Sequence, residues 1–281
     1  MRFGLFDKQA AGNSGPVWQA IRQGLDQLGM AHASQDLDAD VAVIWSVLWA
    51  GRMRANLDVW SRFRQSRRPV IVAEVGALDR GRTWKLGING TGTDAIWGQG
   101  IDPNRSRQLG IETADWRHQG RDIVICLQRS DSYQWHNQPP VHQWLDQTIH
   151  RVREHSTRPI VVRCHPRQRV KLPRDVAESV CHPVANTYDG FDFDQILLNA
   201  WAVINWNSGP GVQAVLQGVP AFVGSSSLAA PVANLDLAQI ETPARPDRSQ
   251  WLIDLCHTEW TCSEIATGYP LQRLIRSFES I

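Results

Sequence analysis

Residues 200–223 read AWAVINWNSGPGVQAVLQGVPAFV: an apolar run, a glycine-rich turn, and a helix-compatible stretch stopped by Gly218-Val219-Pro220. This order predicts a strand over 202–204, a turn at Asn207, Ser208, Gly209 and Gly211, a helix over 212–217 and a strand over 221–224. The first N–H groups of such a helix have no partner within it, and the positive end of its dipole points outward. The turn therefore suits an anion, phosphate above all. Its spelling is neither GxGxxG nor a Walker loop, so an ordinary connection with a Ser/Asn cap is the alternative.

Residues 158–169, RPIVVRCHPRQR, predict a buried strand that ends in His165-Pro166 among basic residues. In an open α/β sheet, side chains just past the carboxyl end of a strand face the ligand crevice. His165 and Arg167 are thus expected to meet a phosphate or a ribose, with Arg163 and Arg129 adding charge. A structural histidine is the alternative.

A third candidate is Glu74, which closes the apolar run VIVAE. A carboxylate at a strand mouth is suited to take a proton from a hydroxyl, with Asp79 as substitute; a loop anchor paired with Arg80 or Arg82 is the alternative. Residues 80–98 (RGRTWKLGINGTGTDAIWG) read as a substrate-covering loop, its glycines permitting tight turns and Trp84 and Trp97 offering flat faces. An Ω-loop without ligand contact is the alternative. Acceptor contacts are expected from Asn13, Ser14, Trp49, Arg80, Arg82, Trp84 and Asn89.

Charge gives these residues a context. Between Arg52 and Lys85 nine basic residues stand against three acidic ones, an excess of six in a chain whose net charge is +1. Such a run fits a phosphate-rich acceptor such as DNA, with Trp49 or Trp84 free to stack, or else a solvated arginine face.

The elements that must carry these residues alternate. Strands are expected over 1–6, 41–46, 69–74 and 122–127 and helices over 17–28, 56–65 and 143–154, with a polar linker over 109–120. That pattern predicts an α/β protein with two Rossmann-like parallel-sheet domains, 1–118 and 119–281, the C-terminal helix packing back on the first. At 281 residues and 42% hydrophobic composition the chain can fill two cores. Most of its thirteen tryptophans fall at positions suited to core packing. The five cysteines show no CxxC or zinc spacing and read as reduced thiols. Neither an apolar leader nor a membrane span is expected.

Together the His165-Pro166 strand end and the Asn207-Ser208 turn, ahead of a helix closed by Gly218-Val219-Pro220, resemble the donor half of GT-B glycosyltransferases. The likeness is to the capsule-polysaccharide, Kdo- and sialyl-transferase-like groups, over about residues 120–270. Those groups place two serines where Asn207-Ser208 stand here. The resemblance implies two domains facing a central cleft and a nucleotide-sugar donor, a UDP-sugar, in the second. The placement of Glu74 is similar to that of the catalytic aspartate in phage DNA β-glucosyltransferase, which implies the base.

An inverting displacement without metal is expected, because Arg129, Arg163, His165, Arg167, Ser208 and the turn N–H groups would offset charge on the departing phosphate. Asp192-Phe193-Asp194 has the spelling of a metal motif, but its neighbours, Tyr188-Asp189-Gly190-Phe191, suit a loop closing on the base. Three function classes follow: transfer to 5-hydroxymethylated pyrimidines in double-stranded DNA, in the cytoplasm of a bacterial or phage-infected cell; transfer to capsule or lipopolysaccharide sugar; or a nucleotide-binding module without catalysis.

Overall fold

The computed structural model describes residues 1–179, 181–184 and 191–278. In chain order its strands and helices are β1 (Arg2–Leu5), α1 (Gly15–Gln27), β2 (Ala31–Ser34), β3 (Val41–Trp45), α2 (Asn56–Gln65), β4 (Val70–Val75), β5 (Thr83–Ile88), α3 (Arg105–Leu109) and β6 (Asp122–Cys126). There follow α4 (Val141–Arg153), β7 (Ile160–Arg163), β8 (Ala177–Glu178), α5 (Asp194–Leu197), β9 (Ala200–Ile204), α6 (Gly209–Leu216) and β10 (Ala221–Phe222). The chain closes with α7 (Ser249–Cys256), β11 (Glu259–Thr261), α8 (Cys262–Ala266) and α9 (Tyr269–Ile275). Two compact units result: 1–109, 131–134 and everything from Ile253 onward in the first, 110–130 and 135–252 in the second.

The first unit holds a six-stranded sheet in the order β11-β5-β4-β3-β1-β2. β2, β1, β3 and β4 are parallel, whereas β5 runs antiparallel to β4, and β11, antiparallel to β5, returns to the common direction. β3, VAVIW, is buried along its whole length, so its run is continuously apolar instead of alternating. α1 carries Pro16 in its first turn and buries Val17, Trp18, Ile21 and Leu25 on one stripe against that sheet. The segment expected as a covering loop contains β5, because T-W-K-L-G-I fills an antiparallel register on β4 and packs Trp84, Leu86 and Ile88 into the core.

Of the residues expected as a linker, 109–120, all but Leu109 lie in the second unit, where Ala114 and Arg117 donate N–H bonds to the Leu216 and Gly218 carbonyls. The C-terminal segment joins the first unit through β11, and α8 and α9 pack on α1.

The second unit holds five parallel strands in the order β10-β9-β6-β7-β8. From β6 the chain runs one way to β7 and β8; from β9 it runs the other way to β10. The direction therefore reverses between β6 and β9, the place where open α/β sheets open a ligand crevice. The five cysteines are free, and burial pushes the Cys126 thiol up to about 12. Among the described residues no helix is long and apolar enough to cross a membrane.

Candidate functional site

At the reversal between β6 and β9, the loops following those two strands are tied together. Gln128, buried just beyond β6, donates through Nε2 to Asn207 Oδ1 at 2.9 Å, and its Oε1 accepts the Asn207 N–H at 3.1 Å. Asn207 also donates through Nδ2 to Ser226 Oγ at 2.9 Å. Asn205, 1% exposed, donates to the Ser208 carbonyl at 3.0 Å and to Ser208 Oγ at 3.2 Å.

These amides fix a turn with Ser208 extended at the N-cap and Gly209 opening α6. Pro210 supplies no N–H and the Gly211 N–H donates to the Ser208 carbonyl at 3.3 Å, so the first helical turn presents the Gly209 N–H. A Cβ on Gly211 would stand 2.5 Å from Asn205 Oδ1, which is why glycine is needed there. Gln128, Asn205 and Ser226 escaped the sequence reading. The available signal was an amide directly after each of two apolar strands.

His165 stands two residues past β7, half-buried in a turn in which its Nδ1 accepts the Arg167 N–H at 3.1 Å and its carbonyl accepts the Gln168 N–H. Gln168 in turn meets Ser130 through two bonds of 2.9 Å, which joins the loops after β6 and β7. Arg129 lies half-buried between Gln128 and Ser130, and Arg167 is exposed.

Arg163 lies over the Phe193 ring at 4.9 Å and donates to the Asp192 carbonyl at 3.1 Å. Asp192 caps the Asp194 N–H at 3.0 Å, and Asp194 accepts from Gln217 at 2.5 Å, so both carboxylates have partners within this unit. Tyr188-Asp189-Gly190 lies outside the described residues. Beside Asn205 and Trp206 a cavity of about 270 Å³ is walled by Trp144 and Phe222, with Gln138 and Arg151 at its polar side.

In the first unit Glu74 lies at the end of β4. Its Oε2 accepts from Ser46 Oγ and its Oε1 from the Val75 N–H at 2.9 Å. Ser46, at φ 64, closes β3 and also receives the Leu48 N–H. Arg82 pairs instead with Asp79, at 3.0 Å, inside a tight turn where the Asp79 carbonyl accepts from Thr83; Arg80 bridges Thr83 in the same turn.

The loop behind Glu74 is organised by a residue the sequence reading missed. Glu259, fully buried, accepts the Ala77 N–H at 2.6 Å, the Leu78 N–H at 3.0 Å and the Thr83 hydroxyl at 2.7 Å. Nothing local in the sequence announces it.

The expected acceptor residues have mixed placements. Trp84 is 5% exposed and packs against Trp45 at 5.7 Å, so core contacts occupy its ring and it cannot stack on a ligand as expected. Asn89, at φ 62, accepts the Val70 N–H and holds a turn. Ser14 is buried and donates to the Ala11 carbonyl at 2.6 Å, while Asn13 Oδ1 is buried without a partner among the described residues. Trp49 joins Trp60 and Tyr133 in an aromatic cluster. Of the arginine run, Arg68 donates to the Leu37 and Ala39 carbonyls and Arg62 pairs with Asp38, while Arg52, Arg54, Arg64 and Arg67 are exposed. Among the described residues no group of three His, Cys, Asp or Glu is placed to hold a metal ion.

No protein-family model and no curated protein matches this sequence. Two solved structures from Thermosulfurimonas dismutans are similar to it. The KpsC β-Kdo 2,4 transferase is 12% identical over 95% of this chain and 98% of its own, with a TM-score of 0.56. The KpsC β-Kdo 2,7 transferase is 13% identical over 97% and 99%, with a TM-score of 0.51. At such identity the likeness speaks for the fold: the chain has the GT-B fold, two α/β units built on mainly parallel sheets.

Proposed function

We propose that this chain is a glycosyltransferase that moves a sugar from a nucleotide donor to a saccharide hydroxyl. The carrying observation is the amide clamp from Gln128 to Asn207, which fixes the start of α6 at the reversal point of the second sheet. The Gly209 N–H, Ser208, His165 and Arg167 hold the donor phosphates, Gly211 lets the backbone turn close beneath them, and Arg129 adds charge. Glu74, oriented by Ser46, takes the proton from the acceptor hydroxyl as that oxygen attacks the anomeric carbon. The bond from that carbon to the phosphate oxygen breaks, the nucleotide leaves with the electron pair, and the configuration inverts. Charge on the leaving phosphate is met by protein donors, and the reaction runs without a divalent ion.

A saccharide acceptor is favoured by likeness to proteins named as Kdo transferases. Hydroxymethylated DNA is the second reading, favoured by exposed Arg52, Arg54, Arg64 and Arg67 but weakened by the loss of Trp84 as a stacking surface. The test is a panel of UDP- and CMP-sugars with saccharide and hydroxymethylcytosine-DNA acceptors, with and without EDTA, followed by nucleotide release and labelled product. Saccharide product in EDTA supports the proposal. Product on DNA alone moves the acceptor to the second reading, and nucleotide binding without turnover makes the chain a binding module.

A further inference from the structure

Lys85 is 8% exposed, and among the described residues it makes no hydrogen bond and no ion pair. It sits at the middle of β5, directly opposite Glu74 on β4 and Glu259 on β11. Opposite residues of antiparallel strands share a face, with Cβ atoms about 4.5–5.5 Å apart. A Glu-Lys-Glu row across three strands would ordinarily be a structural ion network. Here both carboxylates turn elsewhere: Glu259 to Ala77, Leu78 and Thr83, Glu74 to Ser46 and Val75. The lysine is left with a buried stem and an ammonium that no carboxylate of the row neutralises, so its charge is open to a ligand.

We propose that Lys85 binds an anionic group, a carboxylate or a phosphate, carried by the acceptor beside the hydroxyl that Glu74 deprotonates. This rests on the reading of Glu74 as the base. A flexible four-carbon stem with three rotatable donors suits a point contact with either anion. The two flanking carboxylates are already committed to neutral donors and leave the ammonium unneutralised. Acceptors lacking the anion would leave the cation unpaired and bind more weakly.

The test needs no turnover. Glucuronate, sialic acid and glucose 6-phosphate, with the methyl esters of the two acids, are titrated into ¹⁵N-lysine-labelled protein. The ammonium signal of Lys85 is assigned by its disappearance in Lys85→Arg, and affinities are measured in parallel by calorimetry. An acid should shift that signal and bind about 10- to 100-fold tighter than its ester. Lys85→Met should erase the difference, and its melting temperature should stay level or rise, whereas a lysine held in a structural network would lose stability when replaced. A response to the acids but not to glucose 6-phosphate assigns a carboxylate, and the reverse a phosphate. Equal binding of acid and ester, a preference that survives in Lys85→Met, or no response to any anion overturns the proposal. If the donor panel yields no transfer yet Lys85 answers to acids, the transferase reading fails while this site stands.

Discussion

In the second unit, the turn from Asn207 to Gly211 is shaped at two ranges: Asn205 reaches Ser208 three residues on, and Gln128 reaches Asn207 across 79. In the first unit, the loop behind Glu74 is held by Glu259, which lies 182 residues from Ala77. The turn of the second unit is therefore specified largely by glycine, proline and amide placement, whereas the loop behind Glu74 depends on the C-terminal segment returning to pair with β5. Damage to the first arrangement should show in ligand affinity, and damage to the second in both chemistry and folding.

The largest contrast is expected at Glu74. Glu74→Gln keeps shape and can still accept from Ser46, yet cannot take a proton, so turnover should fall by about 10² to 10⁴ while donor affinity holds. Parallel loss of donor affinity would move Glu74 out of the base's role. Glu259→Ala should act on stability, since it strands two buried N–H groups and a hydroxyl; a loss of about 2–4 kcal/mol is expected by denaturant unfolding. Amide exchange at Ala77 and Leu78 should rise in that variant, and protection at wild-type level would show the loop has other anchors.

These two sites mark the boundary of what the sequence discloses. The turn at Asn207-Ser208 and the strand end at His165 were legible because backbone conformation and strand polarity are local, and local order is written in glycine, proline and apolar runs. β5 was not, since Gly87 within the T-W-K-L-G-I run and Gly90 just past it look like turn formers until β4 and β11 flank the run. Glu259 and Lys85 were invisible as a row because antiparallel register between distant segments has no spacing signature in one sequence. The fate of Trp84 follows from that same strand: its alternation sends the ring into the core.

A smaller effect is expected at the donor turn. Ser208→Ala and His165→Ala should each weaken donor binding by about 1.5–3 kcal/mol, the value of one charge-assisted hydrogen bond, with the melting temperature nearly unchanged. Isothermal titration with the nucleotide sugar that turns over checks this. Wild-type affinity in both variants would remove the turn from the site, whereas a large fall in melting temperature would show that the Asn205–Ser208 bonds hold the fold and not the ligand.

The smallest effect separates the two units by pH. His257, buried in the first unit, accepts the Asp102 N–H at Nε2 and meets the Ile253 carbonyl through Nδ1, so its ring is neutral with both nitrogens engaged. Burial holds its pKa below the ordinary value of 6.5 against the raising influence of the Ile253 carbonyl, with the charges of Arg273 and Arg105 adding to the lowering and Asp102 opposing it least. Above pH 6.5 the folded and unfolded states both keep the ring neutral, and its contribution to stability is complete. As the pH falls below that value the unfolded chain takes up a proton first, so stability declines until the folded-state value is passed. Denaturant titrations between pH 7.5 and about 5 should show this slope in the wild type and a shallower one in His257→Gln, which can still accept from Asp102 but does not titrate. The protection of the Asp102 amide, corrected for the intrinsic pH dependence of exchange, should fall over the same range while that of Asn207 does not. An unchanged slope in the variant would take His257 out of the acid sensitivity; Glu264, held below its usual value of 4.5 by Arg105 and Thr261 despite its burial, loses its contribution only as the pH falls below that value, outside this range.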